Sequence, residues 1–259
     1  MSTPAAPDAS LPAAEPAGGA DNPDSQWHRE RTAFVTSPLG NLALVLTHWG
    51  NSGDAPVPDE EALAGWPEDV VLTRLERTGI DSGEPEYGYR IWQADSPANQ
   101  AFERIDYYDH DPSWIIEGYF EHVADDRVIP FEHIRDGGKS RGLGVSGDLV
   151  FTRDGVEYRP NAFDVGAKLQ LVFADATSGK ESYGAGRFLY VARPEAEDGA
   201  TFEPGQRFPV TLNFNRAFVP PCGFSVHMNC PLPPAQNRFR IPIRAGEKNV
   251  VFRESFELH

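Results

Sequence analysis

The dipeptide Asp154-Gly155 lies between two β-rich runs, residues 149–153 (LVFTR) and 156–159 (VEYR). A two-residue link of this kind makes a hairpin, because glycine accepts the positive φ that the tight turn demands. One antiparallel pair is thereby specified from local sequence alone, and the rest of the chain has a similar pattern. Residues 42–49 are a near-continuous apolar run of strand length, 70–75 are shorter and mixed, and Tyr87, Tyr89 and Ile91 alternate as in a half-buried strand. Residues 113–123, 127–134, 169–173, 187–191, 208–214 and 239–243 read as further short strands.

Two segments have helical character. Ser25 is placed to cap a helix over 26–34 that Ser37-Pro38 would end, and 97–104 is a second candidate. The 24 Gly and 23 Pro favour many turns and short elements over long helices. The expected fold is mainly β: a single-domain antiparallel barrel or two-layer sandwich with one or two short helices. Residues 1–25 are rich in Ala, Pro, Asp and Gly and nearly devoid of large apolar groups. Such a segment cannot bury enough surface to offset its ordering entropy, so a disordered tail is expected there and a single domain over 26–259. Residues 50–68 read as an insertion or lid.

Composition narrows the partners. The formal net charge of −16 leaves no uniform basic patch for nucleic acid. No run approaches the ~18 apolar residues of a membrane helix, and the N-terminal residues have neither the basic nor the apolar region of a secretion signal. A cytoplasmic location is expected, with Cys222 and Cys230 as free thiols.

Several familiar patterns fail in context. Residues 142–147 spell G-x-G-x-x-G, but a charged loop precedes them and a hairpin strand follows, where dinucleotide binding needs strand and helix. Gly138-Lys139-Ser140 ends like a phosphate loop, yet His133 stands where the first glycine belongs. There is no G-x-S-x-G, H-E-x-x-H or C-x-x-C. Asp106, Asp109, His110 and Asp111 are oxygen and nitrogen donors for a hard cation, or simply a solvated acidic turn before Pro112.

The densest chemistry lies in 175–248. Cys222, His227 and Cys230 are soft ligands suited to zinc or copper, with Met228 beside them, but their spacing matches no standard finger. The alternatives are two buried free cysteines or a reactive thiol pair. Lys180, Tyr183, Arg187 and Arg216 are donors in an acidic chain, and Gly184 and Gly186 would let backbone amides approach a ligand. With Asn215, this set reads as a site for a small anionic molecule, since arginine suits carboxylate and phosphate. The competing reading has Arg187 and Arg216 pairing with Asp175 or Glu181 to secure the sheet. Cys222 and Glu247 are the candidates for nucleophile and general base if the same pocket belongs to a hydrolase or lyase. A structural or partner-binding module is the third class. No cofactor is specified. Asn213, Asn215 and Asn237 also suit side-chain ties between loops.

These same residues resemble the prokaryotic family known only as domain of unknown function 1684. The resemblance runs through Asp175, Thr177, Ser178, Gly179, Tyr183, Gly184, Gly186, Arg187 and Phe188. It continues in Asn215, Arg216, Ala217, Phe218, Pro220, Pro221 and Cys222, then Cys230 to Pro234, Asn237, Arg238 and Ala245 to Lys248. Trp27, Arg29, Arg31 and the Asp111-Pro112-x-Trp114 turn extend it upstream. Val219 stands where that family leads one to expect asparagine, and His227 and Met228 are not features of the pattern. The resemblance implies a shared site and no established reaction.

Overall fold

A computed structural model describes residues 23–79, 82–124, 127–134, 140–194, 202–254 and 256–258. Residues 1–22 of the expected tail, and Gly138 and Lys139, lie outside them. The fold is mainly β, with a curled antiparallel half-barrel sheet, smaller sheets and, among the described residues, three short helices. The chain forms two compact units. The first takes in the described residues up to Arg104, with Phe224–Met228 and those from Val251 on; the second is Ile105–Gly223 with Asn229–Val250.

In the first unit, α1 (Ser25–Val35) buries Trp27, Arg31 and Val35, which recur every four residues along one helical face. The Arg31 guanidinium lies over the Phe224 ring, 5.1 Å from its centroid. After α1 the chain turns so tightly that a Cβ on Gly40 would fall 2.2 Å from Phe34 O. Strands β1 (Leu44–Trp49), β2 (Val71–Thr78) and β3 (Pro85–Trp92) form an antiparallel sheet with β3 central. Leu42 and Ala43, read from sequence as strand, belong to a 3₁₀ turn, Asn41–Ala43, instead. A fully buried apolar run carries no period that separates the two. Between β1 and β2, the expected lid carries only α2 (Asp59–Ala62).

The helix expected over 97–104 stops early. Ser96 caps α3 (Pro97–Ala101) by accepting from Asn99 N, and Phe102 turns extended. It begins β4 (Phe102–Tyr107), and its ring packs edge-on against Phe252. Tertiary pairing overrides the local helical preference here.

The second unit holds β5 (Ile115–His122), β6 (Val128–Glu132), β7 (Ser140–Gly144), β8 (Gly147–Arg153), β9 (Val156–Tyr158), β10 (Asn161–Val165), β11 (Lys168–Phe173), β12 (Arg187–Ala192) and β13 (Arg207–Asn213). Last comes β14 (Glu247–Phe252), which pairs with β4. The large sheet runs β12-β11-β10-β8-β5-β13 with β9 on β8, while β6 and β7 form a separate ribbon. Asp154 and Gly155 both have positive φ, at 51° and 76°, as the β8–β9 hairpin requires. The core of this unit holds an aromatic cluster. Phe214 meets Trp114, Phe151 and Phe173 at centroid distances of 5.8, 5.8 and 5.6 Å. Each such pair adds about 0.5–1.5 kcal/mol beyond its buried area.

The glycines of 142–147 serve the sheets. β7 takes in 142–144, and Gly147 begins β8, where a Cβ would sit 2.3 Å from the Phe120 ring. Residues 239–243 are irregular rather than strand: Ile243 N donates to the Asp175 carboxylate and Ile243 O accepts from Arg187. Phe239 N donates to Ala174 O and Ile241 O accepts from Ala176 N, so the 174–176 backbone and these side chains together satisfy the segment.

Candidate functional site

The turn between β11 and β12 is built around Asp175. Its Oδ1 accepts from Thr177 N at 2.7 Å, and Ser178 Oγ accepts from Asp175 N. Thr177 O then accepts from the amides of Lys180, Glu181 and Ser182, and the Thr177 and Ser182 hydroxyls lie 2.8 Å apart. Gly179 and Gly186 take φ of 76° and 90°, and a Cβ on Gly186 would meet Phe173 O at 2.4 Å. The Tyr-Gly-x-Gly-Arg motif therefore satisfies a steric demand of the backbone.

Arg187 begins β12 with its guanidinium fully buried. Nη1 donates to Ala245 O and Glu247 O, at 2.6 and 3.0 Å; Nη2 donates to Ile243 O and Asp175 Oδ2, both at 2.7 Å. Asp175 neutralises the charge, and the carbonyls of Ile243, Ala245 and Glu247 take the other three bonds of the terminal nitrogens. Arg187 thus acts as an internal brace, and its charge is already matched.

The other motif residues are distributed around this brace. Asn215 is buried, and its amide clasps Asp111 by both backbone groups at 2.9 Å. Asn237 accepts from Asn161 N and donates to Asn161 O and Val172 O, so it ties β10 to β11. Both amides join loops and strands through side-chain-to-backbone bonds. Arg216 is half-buried at the end of a 3₁₀ turn, Phe214–Arg216. Gly184 is exposed and Lys180 is on the surface. Glu247 is fully buried, and its Oε2 accepts from Val219 N at 2.7 Å. The backbone of Val219, not its side chain, makes this bond.

Tyr183 and the two cysteines are brought together. Tyr183 N donates to Lys248 O, and its hydroxyl donates to Cys222 Sγ at 3.6 Å. Cys222 N in turn donates to Cys230 Sγ at 3.1 Å. Neither thiol is in a disulfide, and Cys230 is buried while Cys222 is half-buried. Among the described residues no three His, Cys, Asp or Glu are arranged to hold a metal ion, so neither Cys222, His227 and Cys230 nor the Asp106–Asp111 cluster forms such a set. Asp111 caps the following turn instead. The Ser113 side chain and amide bond its carboxylate and hold it below the usual carboxylate range.

Beside the brace lies a group that the sequence reading did not assemble. The Tyr108 ring faces the Arg187 guanidinium at 5.7 Å and Lys248 Nζ at 5.2 Å. Burial pushes its phenol above the ordinary tyrosine value. Arg244 grips Glu181 with two bonds of 2.8 and 2.7 Å. These bonds hold the Glu181 carboxyl below its ordinary range. Residues 238–248 carry Arg238, Arg240, Arg244 and Lys248 against a single acid, Glu247. In a chain of net charge −16 that local excess was the available signal.

A groove of about 550 Å³ opens next to these elements, within the second unit. Pro130 and Glu132 of β6 line one part of it, and Pro233, Pro234, Gln236 and Arg238 another. Arg238 Nε donates to Pro233 O at 3.0 Å, which orients the guanidinium. Its two terminal nitrogens have no protein partner among the described residues. Neither Cys222 nor Glu247 lines this groove.

The model of the family described as "Protein of unknown function (DUF1684)" matches residues 100–248, which include every motif segment from Asp111 to Lys248. No curated protein matches the chain. Among solved structures, it is similar to an uncharacterized protein of Haloarcula marismortui determined by solution NMR. That protein is 28% identical over 57% of this chain and 77% of its own length, with a TM-score of 0.42.

Proposed function

The chain belongs to the family of proteins of unknown function DUF1684, and we propose that its second unit is a cytoplasmic small-molecule-binding module for a small anionic metabolite. The ligand lies in the groove between β6 and the proline-rich segment, and Arg238 is its principal donor. The observation that carries this reading is the Arg238 guanidinium, oriented by Pro233 O with its terminal nitrogens left for a ligand. A planar pair of N–H donors held in place is the arrangement that recognises a carboxylate or phosphate. The groove volume is of the order of known small-molecule sites, roughly 300–1,000 Å³. Glu132 and Gln236 add an acceptor and an amide, so the ligand carries at least one donor besides its anionic group.

The same reasoning moves the anion away from Arg187, which is fully buried with its terminal nitrogens bonded to Asp175 and three carbonyls. It also leaves the enzyme reading with less support, because Glu247 is fully buried on Val219 N. The net charge of −16 weighs against a polyanion such as nucleic acid as the partner. Among the described residues no helix is long and apolar enough to cross a membrane.

The test is thermal unfolding with inorganic phosphate, citrate and glutamate as probes, on the wild-type chain and Arg238→Ala. At least one probe is expected to raise the wild-type midpoint by several degrees in a concentration-dependent way. Arg238→Ala, an exposed position, is expected to melt normally and to lose that response. A wild-type midpoint indifferent to all three, together with native and denatured masses that agree, removes the proposal.

A further inference from the structure

We infer that Cys222 and Cys230 are a resolving thiol pair, a modification site for small-molecule disulfides that closes into an intramolecular Cys222–Cys230 disulfide. The inference is independent of the ligand groove.

Three observations carry it. First, Cys222 N lies 3.1 Å from Cys230 Sγ. The nitrogen and Cβ of Cys222 share one Cα, so the two side chains start from neighbouring points. Forming the bond asks for rotation of the thiols, not for movement of strands. Second, each sulfur accepts a hydrogen bond, Cys222 from the Tyr183 hydroxyl and Cys230 from the Cys222 amide. Donors aimed at sulfur stabilise the negative charge that attack requires. Third, the pair is asymmetric: Cys222 is half-buried while Cys230 is 5% exposed. An outer thiol that meets the reagent and an inner one that resolves it is the arrangement of a two-step exchange.

The local backbone holds this geometry. Both cysteines belong to the second unit, and Cys222 sits in a 3₁₀ turn, Pro221–Gly223. A Cβ on Gly223 would fall 2.4 Å from the Val219 side chain and 3.3 Å from the Tyr183 ring. That glycine lets Tyr183 approach Cys222. On the other side, Ile134 N donates to Cys230 O at 3.0 Å and fixes the second foot.

The chemistry balances with a small-molecule disulfide as oxidant. The Cys222 thiolate attacks one sulfur of R–S–S–R, forming Cys222–S–S–R and expelling RS⁻. The Cys230 thiolate then attacks Cys222 sulfur, breaking the mixed disulfide and releasing the second RS⁻. The two cysteines lose two protons and two electrons, and the reagent leaves as two thiols once protonated. Tyr183 loses its thiolate acceptor when Cys222 turns toward Cys230.

The experiment incubates the full chain with oxidised glutathione and reads intact mass, then maps peptides without reduction. The wild-type chain is expected to lose two hydrogens and to yield a peptide linked through Cys222 and Cys230. Cys230→Ser is expected to stop with one glutathione on Cys222. Cys222→Ser is expected to take up glutathione about tenfold more slowly or less, because Cys230 is buried. Tyr183→Phe slows the first step while leaving the final product unchanged. A wild-type chain that stays unmodified when folded but reacts when denatured overturns the inference. So does one that halts at a mixed disulfide on Cys222, or one that forms only links between chains. The wild-type result decides the matter even if a variant fails to fold.

Discussion

Arg187 Nη2 and Asp175 Oδ2 lie 2.7 Å apart with both side chains fully buried, and the arginine spans from the β11–β12 turn to the backbone before β14. Two charges taken out of water hold together because Asp175 and three carbonyls bond the terminal nitrogens of the guanidinium. Removing one partner leaves the other charged and unmatched. Arg187→Ala and Asp175→Ala are each expected to lower the unfolding free energy by about 3–5 kcal/mol, measured by urea denaturation. The double change Arg187→Met with Asp175→Leu is expected to cost less than either single one. Equal and additive losses would mean that the pair is not coupled.

Asn237 has the same logic without charge. Its amide makes three bonds to the backbones of Asn161 and Val172, all buried. Each buried group left unpaired costs about 1–3 kcal/mol. Asn237→Ala is expected to lose about 2–4 kcal/mol in the same denaturation assay, with amide exchange accelerated first at Asn161.

The glycines divide by geometry. Gly186 holds φ at 90° with Phe173 O where a Cβ would go, whereas Gly144 has open space there and no positive φ. Gly186→Ala is expected to destabilise by about 2–4 kcal/mol, and Gly144→Ala by less than about 1 kcal/mol. Thermal melts of the two variants check this, and comparable losses would refute the steric account.

Glu181 should titrate below the ordinary glutamate range because Arg244 donates two hydrogen bonds to its ionised form. A carboxyl depressed in the folded state stabilises the protein above its unfolded pKa. That contribution fades as pH falls toward the folded value. The pair is surface-exposed, so the effect on stability is small. The cleaner readout is the Glu181 carboxyl carbon followed by NMR. Its midpoint is expected to rise in Arg244→Ala toward that of an isolated glutamate.

The sequence by itself determined the class of the fold and its most local pieces. Asp154-Gly155 specified the β8–β9 hairpin because a two-residue turn needs positive φ, and that demand is met within the dipeptide. The α1 helix was legible from its end signals, although Asp24 and not Ser25 takes the N-cap position, and the motif segments from Asp175 to Lys248 were enough to identify the relatives. What only the tertiary structure decided was the partner of each side chain. Arg187 read as a ligand donor or as a brace, and the sequence could not choose, since its acceptors Asp175, Ile243, Ala245 and Glu247 come from both sides of β12 in the chain. The strand read over 239–243 gave way to irregular backbone whose bonds go to Ala174 and Ala176 and to the Asp175 and Arg187 side chains. Phe102, locally helical in character, became extended in β4. Arg238 emerged as a donor only once folding set Pro233 O against its Nε. Local conformation follows from sterics within a few residues, but satisfaction of a buried charge depends on groups tens of residues apart, and no local pattern encodes which of them will meet.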